Sequence, residues 1–271
     1  MMKKKIILLI GEGGLPSNII NNLLKKNITF FLLIISDRWD KKIEKYDFKK
    51  INLGSIISEL NCLKKKGYLD IIFAGSVKRP SISDIKPDFQ TIKFIPKFAK
   101  VFLKGGDDYL LKFIINELKK LGFSVLGLKK IIPENFLSSG IYSEYKPSKI
   151  SLLDIEKGKK VLDSLSKFDI GQSIIIQQGN VLGIEAVEGT DNLIKRVHKF
   201  IKPGEKPTLI KLIKKKQIKR ADLPTIGLKT LKYCKRFSIS GIAYSANNTL
   251  FINHLEVIRK ANDFKIFIYG I

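Results

Sequence analysis

The hydrophobic positions of the first half come in short unbroken runs separated by mixed segments. The runs 5-KIILLI-10 and 28-ITFFLLII-35 are strand-length and apolar throughout, the pattern of strands buried on both faces of a parallel sheet. Between them GEGGLPSNIINNLLKK turns and enters a helix, with Pro16 suited to its first turn. SIISELNCLKKKG reads as a helix closed by Gly67, and YLDIIFAGS as a strand ending at Gly75 and Ser76. DDYLLKFIINELKKLG then reads as a helix closed by Gly122, and FSVLGL as a further strand. Alternating strands and helices predict a parallel sheet with helices on its faces.

Residues 131–150, IIPENFLSSGIYSEYKPSKI, lack periodicity and hold two prolines and several serines, which predicts a connection between domains. SLLDIEKGKKVLDSLSKF is a predicted helix. SIIIQQGNVLGIEAVEG predicts a hairpin with Gly179-Asn180 at its turn. GTDNLIKRVHKFI predicts a helix that Thr190 or Asp191 can cap. The strand TLIKLIKK, the helix LKTLKYCKRF, the strand GIAYSAN, the helix HLEVIRKANDF and the strand KIFIYGI follow. The expected fold is therefore α/β in two domains. Residues 1–130 form a Rossmann-like parallel sheet with helices, 131–150 a linker, and 151–271 a smaller α/β domain with a mixed sheet.

Composition adds bounds. Hydrophobic residues make up 44% of the 271 positions, enough for real cores, and the formal net charge is +25. That charge invites an anionic partner, nucleic acid or membrane. Equally, Lys, Ile and Asn are over-used together, and a solvated Lys-rich surface accounts for scattered charge. Cys62 and Cys234 lie far apart and form no CxxC, which fits a reducing compartment. The opening MMKKKIILLI mimics a signal peptide, but its apolar run IILLI is only five residues, too short for a signal core or a membrane span. His198 and His254 show no metal-ligand spacing, so zinc chemistry is not expected, nor is an acyl-enzyme.

Five loops carry candidate chemistry. Gly11, Gly13 and Gly14 lie between the first strand and helix, where backbone N–H groups can approach a phosphate. The turn begins like the dinucleotide fingerprint, with Pro16 in the third glycine's place and Asp37 near the ribose-binding position. The alternative is a tight turn needing positive φ. At the end of the third strand, Gly75 and Ser76 precede Lys78 and Arg79, a fork suited to a pyrophosphate. Gly105, Gly106, Asp107 and Asp108 precede a helix, and either acid can be a simple cap. Glu185, Glu188 and Asp191 flank Gly189 and Thr190, and hard carboxylate oxygens suit Mg²⁺; a solvated strand face and a cap are the alternatives. Asp222 follows Arg220 in RADLPTIG, where it could hold Mg²⁺, polarise a water, or cap the next helix. Spacing alone does not decide among these.

The stretches GEGGLP (11–16), AGSVKRPSI (74–82), KGGDDYLL (104–111), GIEAVEGTDNLI (183–194) and RADLPTIG (220–227) together resemble UDP-2,3-diacylglucosamine pyrophosphatases of the LpxI type. EAVEGTD and DLPTIG are the specific motifs. The resemblance implies Mg²⁺-dependent hydrolysis of UDP-2,3-diacylglucosamine to UMP and 2,3-diacylglucosamine 1-phosphate in the lipid A biosynthesis of a Gram-negative bacterium. It implies an essential Asp222 and substrate clasped by both domains. The expected substrate contacts are Gly11, Gly13, Gly14, Gly75, Ser76, Val77, Arg79, Gly105, Gly106, Asp107, Asp108, Gly189, Thr190, Thr225 and Gly227. Asp222, Glu188 and Asp191 are the expected metal ligands. A cytoplasmic protein associated peripherally with the inner membrane is expected, with a homodimer possible and no nucleic-acid partner. The rivals are a non-catalytic nucleotide-sugar or nucleic-acid binder and a nicotinamide-dependent oxidoreductase.

Overall fold

The two unbroken apolar runs become β1 (Lys5–Ile10) and β2 (Thr29–Ile34). A computed structural model describes residues 4–77, 85–104, 106–215 and 222–271, with the side chains of 102–104 and 107 outside the description. β3 (Phe48–Lys50), β4 (Asp70–Ala74) and β5 (Ser124–Val125) complete a sheet of order β3-β2-β1-β4-β5, parallel at every pair. A central strand of such a sheet is covered on both faces and has no place for a polar side chain. Ile6, Ile7, Leu8 and Ile10 are accordingly fully buried. Each such side chain contributes about 1.5–3 kcal/mol of burial.

Helices α1 (Leu15–Lys25), α2 (Ile56–Lys65), α3 (Ile95–Lys104) and α4 (Asp107–Lys120) belong to this unit. Pro16 lies in the first turn of α1, where its missing N–H costs nothing. α1 buries Ile19, Ile20 and Leu23, and α2 buries Leu60 and Leu63. The hydrophobic pattern does not announce β3 or α3. β3 is an exposed edge, Phe48-Lys49-Lys50, with no alternation to read, and charged residues on an edge discourage pairing with another chain.

Strand order reverses beside β1, so the loops after β1 and β4 lie side by side at the switch point of a doubly wound sheet. They are zipped together. The Gly11 N–H donates to Ala74 O (2.8 Å), the Glu12 N–H to Ser76 O (2.7 Å), and the Ser76 N–H to Glu12 O (3.0 Å). A Cβ at Gly11 would sit 2.3 Å from Ser76 O, and one at Gly75 would sit 2.5 Å from Glu12 O. Close backbone approach therefore explains glycine at 11 and 75, and the Gly11 and Glu12 N–H groups already have partners.

By packing, the chain divides into Met1–Ile132 and Pro133–Ile271. The segment expected as a linker is folded into the second unit from Pro133 onward. Asn135 is buried and donates its amide to Phe251 O (2.5 Å), and the Tyr142 N–H donates to Ile268 O (3.0 Å). Proline and serine break periodicity here without freeing the chain.

The second unit holds β6 (Gly140–Ile141), α5 (Lys149–Leu165), β7 (Ser173–Gln177), β8 (Asn180–Ile184), α6 (Thr190–Val197) and β9 (Thr208–Lys211). It continues with β10 (Thr225–Ile226), α7 (Leu228–Arg236), β11 (Gly241–Tyr244), β12 (Leu250–Phe251), α8 (His254–Phe264) and β13 (Phe267–Gly270). Its main sheet has the order β6-β13-β11-β9-β7-β8, parallel among β9, β11 and β13 and antiparallel elsewhere. β10 and β12 form a separate parallel pair. The β7–β8 hairpin turns at Gln178-Gly179 rather than Gly179-Asn180, with positive φ at both turn residues. Alternate strand residues face opposite ways. Ile174, Ile210 and Ala243 pack with Ile155 and Leu162 of α5, while Ile175, Leu209 and Ile242 pack with Leu193, Leu231 and Val257.

Gly11→Ala should lower stability by about 2–3 kcal/mol, because the new methyl meets backbone that cannot swing aside. Gly14→Ala, where nothing among the described residues lies within 4 Å and φ is −86°, should leave it within about 0.5 kcal/mol. Urea denaturation of the two variants checks the contrast, and equal effects would refute the packing account.

Candidate active site

β9 ends at Lys211, and polar side chains gather there. The strand register sets Ser173 opposite Lys211, on the face that α6 covers. Lys211 is only 6% exposed, and its Nζ donates to Thr190 Oγ1 (2.6 Å). Thr190 donates in turn to Glu185 Oε1 (3.1 Å). Its one hydroxyl hydrogen is then spent, so the 3.0 Å contact with Ser173 Oγ has Ser173 as donor. Glu185 is also buried, and among the described residues its Oε2 has no hydrogen-bond partner. Burial pushes the Lys211 ammonium below its ordinary range, opposed by the charges of Glu185, Asp191 and Asp222. Three carboxylates thus lie within electrostatic reach of one buried cation.

Thr190 and Asp191 were candidates for the cap of α6. The N-cap is Gly189, at φ +78° and without a side-chain bond. Both side chains are free of capping because the site uses them. Asp191 accepts from Thr230 Oγ1 (2.9 Å) and pairs with Lys229 Nζ (3.1 Å). The N-cap of α7 is Gly227, so Asp222 does not occupy that position. Thr225 opens β10 and lines the same cavity of 380 Å³ as Glu185, Glu188, Thr190, Asp191 and Lys211.

Glu188 turns to a different task. Its Oε1 pairs with Arg196 Nη2 (2.6 Å), which also donates to Ile184 O (3.0 Å), and its Oε2 accepts the Ala186 N–H (3.0 Å). Its own N–H and Arg196 hold its carboxyl below the ordinary carboxylate range. Glu188 therefore pins the loop after β8. Among the described residues no three His, Cys, Asp or Glu side chains converge as a metal-ligand group, so Asp222, Glu188 and Asp191 do not form a ready-made set. Mg²⁺ needs less, commonly one or two carboxylates with substrate phosphates completing the shell. The hard oxygens of Asp191 and Asp222, both within electrostatic reach of Lys211, suit that requirement in kind.

The other expected contacts belong to the first unit. Gly13 and Gly14 have open space around their Cα atoms at the start of α1, with Gly13 at φ +104°. Gly75 and Ser76 are held by the Gly11–Glu12 backbone, and Val77 is exposed. Gly106 is the N-cap of α4, so neither Asp107 nor Asp108 occupies that position. Asp108 pairs with Lys112 one turn on, while its Oδ1 is buried without a partner among the described residues. Asp37 is exposed and pairs with Lys50 (3.1 Å). Arg79, Gly105 and Arg220 lie outside the described residues, as does the Asp107 side chain.

Sequence reasoning missed Lys211, and for Glu185 it left open a carboxylate suited to Mg²⁺ or a solvated strand face; Glu185 is buried. The available signal was a lysine inside the apolar run TLIKLI, where a strand covered on both faces leaves no room for an idle charge.

A doubly wound parallel-sheet unit is thus followed by a mixed-sheet unit carrying an acid–ammonium cluster at its strand ends. A family model described as the LpxI N-terminal domain matches residues 5–135, and one described as the LpxI C-terminal domain matches 138–269. A curated relative, "UDP-2,3-diacylglucosamine pyrophosphatase LpxI" of Caulobacter vibrioides, is 30% identical over 274 residues, covering 99% of this chain and 98% of its own. The chain belongs to the LpxI family.

Thr190→Val keeps the shape but strands Lys211, Ser173 and Glu185. It should cost about 2–4 kcal/mol in urea unfolding, against roughly 1 kcal/mol for the less buried bond lost in Thr230→Val. Similar costs for the two would contradict the central place of Thr190.

Proposed function

We propose that this chain hydrolyses the pyrophosphate bond of UDP-2,3-diacylglucosamine to UMP and 2,3-diacylglucosamine 1-phosphate, as a step in lipid A biosynthesis. The observation that carries this reading is the polar cavity lined by Glu185, Thr190, Asp191, Thr225 and the buried Lys211, in a chain of the LpxI family. Opening a phosphoric anhydride needs an aligned water and neutralised charge rather than a covalent intermediate.

In this reading Asp222 orients the attacking water and takes its proton. The new bond forms from water oxygen to the phosphorus nearer the sugar. The bond from that phosphorus to the bridging oxygen breaks, and the bridging oxygen leaves with UMP. Asp191 and Asp222 would hold Mg²⁺, which when bound supplies positive charge beside the diphosphate oxygens. Glu188, through Arg196, keeps the loop bearing Gly189 and Thr190 in place.

The net charge of +25 supports reversible attachment to the anionic cytoplasmic face of the inner membrane, where a diacylated substrate resides. Among the described residues no helix is long and apolar enough to cross a bilayer.

Purified protein should release UMP from UDP-2,3-diacylglucosamine with Mg²⁺ and lose that activity in EDTA. Asp222→Asn should fold normally yet lose roughly 10³-fold in rate, the scale of removing one group poised on the transition state. Full activity in that variant would remove Asp222 from the chemistry. Sedimentation with phosphatidylglycerol vesicles should fall steeply between low and high salt, and salt-independent binding would rule out an electrostatic attachment.

A further inference from the structure

We propose that Lys211 is a substrate-binding residue, whose ammonium donates to non-bridging phosphoryl oxygens of the diphosphate. This rests on the proposed pyrophosphatase reading and adds a residue that reading did not require. An ammonium has three donors. One goes to Thr190 Oγ1, and the side chain lines the cavity that Glu185, Asp191 and Thr225 also border. The other cations on that cavity differ from it. Lys229 is paired with Asp191 and Lys195 lies over the Tyr233 ring at 4.7 Å, both on exposed stems. Lys211 alone among these three is buried, at the end of a sheet strand held on both sides.

A purely structural role explains this arrangement poorly. Two buried opposite charges such as Lys211 and Glu185, joined through the Thr190 hydroxyl, contribute little net stability compared with apolar residues of similar size. Among the described residues Glu185 Oε2 is, moreover, buried and unpartnered, so the polar group is not built to satisfy itself. What the pair does provide is a cation whose position is fixed before any ligand arrives. Fixed donors aimed at a charged group lose no reorganisation energy when it binds. The Thr190 hydroxyl, held by Glu185, sets the direction of the Lys211 Nζ.

The test compares wild type, Lys211→Met and Glu185→Gln/Lys211→Met. The double variant removes both buried charges together and is expected to fold. Calorimetry with UDP and with uridine reads the phosphoryl contribution without turnover, as the ratio of the two affinities. The wild type should prefer UDP, and the double variant should lose at least 10-fold of that preference while uridine affinity stays within 2-fold. UMP release from UDP-2,3-diacylglucosamine should fall at least 100-fold in kcat/KM. A folded double variant that retains the UDP-to-uridine ratio overturns the proposal, as does a double variant that cannot fold, which would mark the pair as structural. If wild type releases no UMP from the substrate, the pyrophosphatase reading fails, while the affinity ratio still decides whether Lys211 holds a phosphoryl group.

Discussion

An ammonium taken out of water must find its compensating charge within the protein, and Lys211 finds it on three separate segments. Glu185 follows β8, Asp191 lies in the first turn of α6, and Asp222 precedes β10. The Thr190 hydroxyl joins the first of these to the strand end by direct hydrogen bonds. One charge therefore constrains where two loops and a helix start can lie. Moving any of them leaves a charge buried without its partner, which costs more than the pair itself contributes.

The same economy explains the start of α6. The helix begins at a glycine without a side-chain cap, although Thr190 and Asp191 are chemically able to cap. Capping would turn these side chains onto backbone N–H groups and away from the cavity they line. The local stability forgone, about 1 kcal/mol per cap, leaves both side chains available to the site.

In the first unit the governing constraint is backbone approach. Gly11 and Gly75 let two neighbouring loops exchange hydrogen bonds at the switch point of the sheet. The glycine pattern looks like a phosphate turn in sequence, and part of it answers a need that sequence cannot display. Gly13 and Gly14 remain open, so the residues of one motif serve two physical ends.

The sequence by itself determined the parallel first sheet, the hairpin, most helices and the chemically rich loops, because buried strands demand unbroken apolar runs and turns demand glycine and proline. The motif residues Glu185, Thr190, Asp191 and Asp222 were visible in the same way. Only the tertiary structure decided that Lys211 completes them, that Glu188 belongs to Arg196, and that residues 133–150 pack into the second unit. Those outcomes depend on which side chains meet across strands and loops distant in the chain. A lysine reads identically along a sequence whether it ends in solvent or beneath a helix, and only burial and its partners tell the two apart.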